Sequence, residues 1–504
     1  MEQVILFQEN KVEVRRCLKD GRIDYLDLTS WSFQDRFFAF LIEKRFFEWC
    51  GSSYPTPRER ENIPVWFLLG CALQMKLYRT AAFQRLEHIL TSGSILTRAK
   101  FNIGLKEGGF NHKNKKKREI PIDPDTARKF FTDTPADQLE GWYNTGVQKW
   151  LRRHRAYEDK EGIFILDPTL MPVPDNPHYV QAARLPLDAQ GHYVDVKKLS
   201  AAERKRFRYT RAYQLTMLLH YSRQEESFIF AGAHLGPGDE SGLKAGEELV
   251  DHFVSQMGPG VIKLLIMDRE FIDGAMISRF KRRYGIDCLV PLKSNMHALL
   301  DALGIAQLEE VKWAVREEVK DEAGQEVEVE EIAGVGQVES WESCDVPLYI
   351  VLIRRRKADG KVQLWALACT RDGEDPRQPR QLYTSRTQIE ERIDQVKNCW
   401  WVGAFTTPDF QADAVHVFFV LLTYSLVELY LKATHNEELA PETLESLRQE
   451  ERLGKDAVIV YAGKYFGVFD LDEYTEIIVH LKESARLRLA KWLQRFRRNK
   501  IRGP

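Results

Sequence analysis

Gly162-Ile163-Phe164-Ile165-Leu166-Asp167-Pro168-Thr169 is the stretch from which the fold can be read. Four consecutive apolar residues predict a short strand buried on both faces, because a half-exposed strand would alternate. The run ends on an aspartate. A second apolar run, residues 261–267, ends the same way at Asp268. Between them the chain reads as strands at 213–221 and 227–233, joined by the turn Ser222-Arg223-Gln224-Glu225. A helix follows at 241–257, stopped by Gly258-Pro259-Gly260. A helix at 274–284 and a strand at 287–292 complete the series. Three strands built as hairpins, passing into a βαβ arrangement, predict an α/β fold: a mixed sheet flanked by helices. If the two aspartate-ended strands are parallel neighbours, Asp167 and Asp268 meet at one sheet end. An aspartate after a buried strand is usually only the polar start of a loop, so neither acid alone marks a site.

Downstream, residues 295–380 are acidic and strand-rich. Val327-Glu328-Val329-Glu330 alternates, residues 347–353 and 362–369 are apolar, and Asp359-Gly360 reads as a hairpin turn. Upstream, residues 1–155 look helical, with helix-compatible spacing at 37–42, 65–77 and 138–151. After Trp400 the pattern is helical again: residues 412–432, a charged helix near 442–451 and a basic amphipathic helix at 476–498. Five segments result. Residues 1–155 form a helical region with basic edges, a candidate DNA-binding domain whose alternative is a scaffold with a solvated face. Residues 156–294 are the first part of the α/β core, 295–380 a β-rich insertion, 381–435 the second part of the core, and 436–504 a helical, basic C-terminal region.

The second part of the core opens with Tyr383-Thr384-Ser385-Arg386-Thr387-Gln388-Ile389-Glu390 and runs on to Lys397. On an α-helix, Tyr383, Arg386, Glu390 and Lys397 fall at about 0°, 300°, 340° and 320°, a stripe about 60° wide. Leu382, Ile389, Ile393 and Val396 occupy the adjoining apolar sector. A phenol, a guanidinium, a carboxylate and an ammonium therefore share one edge. On its own this is also what a solvated face with an i,i+4 Arg386–Glu390 pair looks like.

Composition narrows the classes. The 504 residues imply several domains, and 44% hydrophobic with 29% charged residues is ordinary for a soluble globular protein. A formal net charge of −1 gives no global attraction to nucleic acid, so any such binding must use local patches. Such patches are present at 112–118 (HKNKKKR), at 205–211 (KRFRYTR) and around Arg495, Arg497, Arg498 and Lys500. The balancing acid is concentrated between 309 and 345. Seven scattered cysteines without a C-x-x-C support neither a zinc ribbon nor a disulfide framework, and predict a reducing compartment. The N-terminus lacks the pattern of a signal peptide. The apolar stretch 414–431 carries His416, Tyr424, Ser425 and Glu428, which predicts a buried helix and no membrane.

With these residues in place, the chain resembles the DDE transposases of bacterial insertion sequences, in the family numbered four. The family signature is Y-x2-R-x3-E-x6-K, and Tyr383, Arg386, Glu390 and Lys397 match every spacing. Met267-Asp268-Arg269-Glu270-Phe271 is similar to the element around the second acid, and Leu166-Asp167-Pro168-Thr169 to the setting of the first. The resemblance spans about residues 160–415; the flanking regions rest on analogy. It implies a ribonuclease-H-like core with a β insertion before the helix carrying the glutamate. It implies Asp167, Asp268 and Glu390 as catalytic acids and ligands of two Mg²⁺ ions, with Mn²⁺ as a substitute. Asp394, one turn beyond Glu390, competes for the third position but fits the spacing less well. Arg386 and Lys397 are expected to hold backbone phosphates, and Tyr383 to donate a hydrogen bond to one. Trp365 resembles a tryptophan that stacks on a flipped base, or else packs inside the insertion. The implied partners are double-stranded DNA (terminal inverted repeats and target) and a second copy of the chain on that DNA. The implied location is the bacterial cytoplasm, at the nucleoid. Two alternatives stay open: a related nuclease that never joins strands, and a domesticated transposase that only binds.

Overall fold

The computed structural model describes residues 8–29, 33–59, 63–86, 122–188, 193–194, 200, 207–308, 311–320, 327–356, 362–371, 373, 375–434, 456–462 and 465–501. The patch at 112–118, the turn Asp359-Gly360 and the expected helix at 442–451 lie outside the described residues, as do Lys205, Arg206 and the side chains of Ile389, Arg495, Arg497, Arg498 and Lys500. The chain divides into two compact units, Met1–Thr134 with Ala433–Pro504, and Pro135–Lys432.

The first unit joins both ends of the chain and corrects the expectation of purely helical terminal regions. Its four-stranded sheet runs Gln8–Glu9, Tyr465–Asp470, Asp456–Tyr461, Tyr25–Thr29. Asp456–Tyr461 pairs antiparallel with both Tyr465–Asp470 and Tyr25–Thr29. Helices close one core over it: Val14 and Leu18 pack with Ile459, Phe469, Ile477 and Leu489. The basic helix expected at 476–498 is two helices, Leu471–Val479 and Glu483–Ile501. The break brings Leu481 into the core, where it is 5% exposed.

The second unit is a mixed α/β layer. Its strands are β1 (Ile163–Val173), β2 (Ala183–Leu187), β3 (Arg208–Ser222), β4 (Ser227–Pro237), β5 (Leu264–Met267), β6 (Asp287–Pro291), β7 (Ala314–Lys320), β8 (Val327–Val338), β9 (Leu348–Arg356) and β10 (Val362–Cys369). Among the described residues they form one ten-stranded sheet, ordered β2-β3-β1-β5-β6-β10-β9-β8-β7, with β4 also on β3. β1, β5 and β6 are parallel, and β1–β3 and β3–β4 are antiparallel. The strands at 314–369 extend this sheet through the antiparallel β10–β6 pair. Helices α1 (Ala136–Gly141 continuing through Gln148–Arg153), α2 (Gly242–Met257), α3 (Gly274–Arg279), α4 (His297–Leu308), α5 (Arg377–Asn398) and α6 (Phe410–Thr434) belong to the same unit. α1, read from sequence with the N-terminal region, thus packs here.

α6 is long and apolar enough to span a membrane, yet 94% of its apolar window is buried inside the protein. Its polar groups serve the sheet. Ser425 Oγ accepts from the Phe230 amide at 3.1 Å, and Glu428 Oε2 from the Phe228 amide at 3.4 Å. From α1, Asn144 both donates to the Ala233 carbonyl and accepts from its amide, each at 2.9 Å. Side chains of two helices thereby satisfy the outer backbone groups of β4, an edge that would otherwise be open to pairing.

Candidate active site

Parallel register sets the first two acids. Leu166 of β1 pairs with Met267 of β5, so the next residue on each strand is Asp167 and Asp268. The strand read as ending at Asp167 in fact runs on to Val173, because β3 continues beside it to Arg211. Asp167 is therefore held within the sheet by its pairing with Met217 of β3, whereas Asp268 opens a turn and accepts a hydrogen bond from the Arg269 amide. Under both acids lies α2, whose Gly246 sits directly on the sheet. A β-carbon there would come within 2.6 Å of Leu166 and 2.7 Å of Phe271. Glycine lets the helix lie this close without displacing either side chain.

α5 brings the third acid. Arg386 Nη2 lies 3.2 Å from Asp167 Oδ1 and 3.2 Å from Asp268 Oδ2, and its Nη1 lies 3.0 Å from Glu390 Oε1. One guanidinium thus touches all three carboxylates, and the two aspartate oxygens, both in contact with Nη2, are separated by no more than the sum of their two contacts with it. The arginine is 16% exposed; Asp167, Asp268 and Glu390 grade outward at 10%, 34% and 55%. Burial pushes the Asp167 carboxyl up to about 6; Arg386 opposes this, and the neighbouring acids add to it. Asp394 is exposed.

The remaining predicted residues divide between two places. Tyr383 is half-buried, with its ring centroid 6.1 Å from that of Trp365 on β10. Burial raises the Tyr383 phenol. Trp365 is likewise half-buried and faces α5. Lys397 lies about two helical turns past Glu390 and has no ion pair among the described residues.

Sequence reading missed Arg380 and Glu330. Arg380 grips Glu330 with both arms, Nε to Oε1 at 3.0 Å and Nη2 to Oε2 at 3.1 Å. Arg355 reaches the same carboxylate at 3.2 Å, and Arg380 lies 4.9 Å from the Trp365 ring centroid. Glu330 is 1% exposed, so this is a buried charge network tying the start of α5 to β8 and β10. The sequence reading took Glu330 only as part of the alternating run 327–330. Arg380, one turn before Tyr383, was the signal that could have found its partner.

The geometry is that of an acid cluster where the parallel β1–β5 pairing ends, faced by a helix that reaches it with one arginine. The family model for the transposase DDE domain matches residues 158–426, more than half of the chain, which therefore belongs to the DDE transposases. No curated protein matches it.

Proposed function

We propose that this DDE transposase is a member of the insertion-sequence family numbered four. In this reading Asp167, Asp268 and Glu390 are the catalytic acids that cut DNA at the element's ends and join the 3′-hydroxyls to target DNA. The convergence of these three carboxylates on Arg386 carries the reading. The Y-x2-R-x3-E-x6-K spacing supports the family assignment. A sheet whose antiparallel half passes into parallel β1, β5 and β6 is compatible with a ribonuclease-H-like core.

Among the described residues no three potential ligands are already grouped as a metal cage. The donor set nevertheless fits a hard divalent cation: three carboxylates, oxygen only, with Asp268 and Glu390 open enough for water to complete the coordination. When bound, two Mg²⁺ or Mn²⁺ ions would activate the attacking oxygen and stabilise the leaving one. The chain's residues supply the rest. Asp167, Asp268 and Glu390 hold the positive charge where β1 runs on past the end of β5. Arg386 neutralises the acids between reactions and offers a planar fork to a phosphate. Tyr383 and Trp365 form an aromatic edge beside it for a base and its phosphate, and Lys397 extends the grip along α5. The basic flanking regions bind DNA ends or pair two protomers.

The test is Mg²⁺-dependent cleavage of a duplex carrying the inverted repeats that flank the gene. The wild type should nick and then join the ends; Asp268→Asn should do neither. Nicking without joining would point to a nuclease instead. Cleavage by Asp268→Asn at the wild-type rate would refute the site.

A further inference from the structure

At the opposite end of β1 and β5 from the acids lies a cavity of about 430 Å³. Lys160, Lys263, Arg223 and Arg371 line it, together with Gln378 and Gln381 from the first turns of α5. Its one acid, Glu161, answers Arg223 at 3.5 Å, and Asp287 outside the lining answers Arg371 at 3.4 Å. Neither lysine has a carboxylate partner among the described residues; Lys263 Nζ donates to the Lys160 carbonyl at 2.8 Å.

The backbone brings the two lysines to one cavity. The Lys263 amide donates to the Gly162 carbonyl at 2.9 Å, the first link of the β1–β5 pairing. Gly162 has φ +56°, and a β-carbon there would lie 2.7 Å from the Val261 carbonyl oxygen. Only glycine permits this approach. Clustering like charges costs Coulomb energy that an anion would relieve. Apart from Glu161, which is paired with Arg223, the polar lining groups can all donate: lysine ammonium, arginine forks and glutamine amides suit a phosphate oxygen.

We propose that this cavity is a second phosphate site, which holds a backbone phosphodiester of DNA away from the acid cluster. The inference rests on the DNA-processing reading above. From Ile163 to Asp167 is four residues of strand, about 13 Å, or roughly four nucleotides at 3.4 Å of axial rise each. α5 borders both places, since Gln381 precedes Arg386 by about 7.5 Å of helix.

The experiment has two arms, using wild type, Lys160→Ala/Lys263→Ala and, as control, the exposed Lys244→Ala outside the cavity. In the first, inorganic phosphate is titrated against chloride at equal ionic strength while thermal unfolding is followed. Wild type and Lys244→Ala should gain Tm, and the double variant should not. In the second, duplex binding is measured across salt concentrations. The double variant should lose about 0.9 in log–log slope per lysine, and the control nothing. A phosphate effect with an unchanged DNA slope would overturn the DNA assignment in favour of free phosphate. Loss of neither effect in the double variant, with its circular dichroism unchanged, would overturn the site. Asp268→Asn should keep the wild-type slope while losing cleavage, so failure of the catalytic reading registers in a different measurement. If the wild type binds no duplex, the DNA assignment falls with that reading, and the phosphate arm still judges the cavity.

Discussion

Arg386 is the residue through which the acid cluster can be held together before any cation arrives. Three carboxylates around one guanidinium repel one another less than three alone, and the positive charge sits where a metal would be attracted. Arg386→Ala should therefore bind Mn²⁺ more tightly without DNA, measured by calorimetry, while losing cleavage and DNA retention. In metal-free buffer the variant should also be less stable, by about 3 kcal/mol or less, since part of the cluster is exposed. Glu390→Gln separates chemistry from grip. Removing its charge should lower cleavage by several orders of magnitude while gel-shift binding persists, because no phosphate contact is lost. If Asp394→Asn abolishes cleavage and Glu390→Gln does not, the third acid is Asp394.

At the scale of elements, α5 is useful only if its first turns are held still. The Arg380–Glu330 pair does this from β8, with the carboxylate fully buried. Glu330→Gln removes the buried negative charge that Arg380 and Arg355 share and should cost about 3–5 kcal/mol, read as a lower denaturation midpoint, with cleavage falling alongside. A different junction, between α1 and β4, is sensitive to pH. His234 bonds Glu140 at 2.8 Å and Glu240 at 3.1 Å. The hydrogen bond to Glu140 leads in raising the imidazole from 6.5 to about 9. The folded state thus binds the proton more tightly than the unfolded one. Its stabilisation is complete below about 6.5 and fades as pH rises through about 9. The Tm difference between wild type and His234→Gln should shrink across that window; a constant difference would rule out the linkage.

For the molecule as a whole, the unit built from both chain ends carries the sharpest expectation. Tyr25–Thr29 and Asp456–Tyr461 are neighbours in one sheet although more than four hundred residues separate them. Ending the chain after residue 434 should strip that sheet and expose Val14, Leu18 and Ile23, so limited proteolysis should cut the N-terminal region first. The single change Phe469→Ala, at a fully buried position, should cost about 3–5 kcal/mol. Protection of residues 8–29 in the truncated chain would count against a shared core.

The amino-acid sequence by itself determined the alternation of buried runs, hairpin and helices in the core, because each is a local pattern of apolar spacing. It also determined that Tyr383, Arg386, Glu390 and Lys397 share one helix edge, which follows from 3.6 residues per turn. Only the tertiary structure decided that β1 and β5 are parallel neighbours in the register that sets Asp167 beside Asp268. It likewise decided that Glu330 turns inward to Arg380, that the strands at 314–369 extend the main sheet, and that the two chain ends share another. Each of these is a pairing between segments far apart in the chain. Its free energy comes from partners meeting, so no window of sequence around either partner contains it.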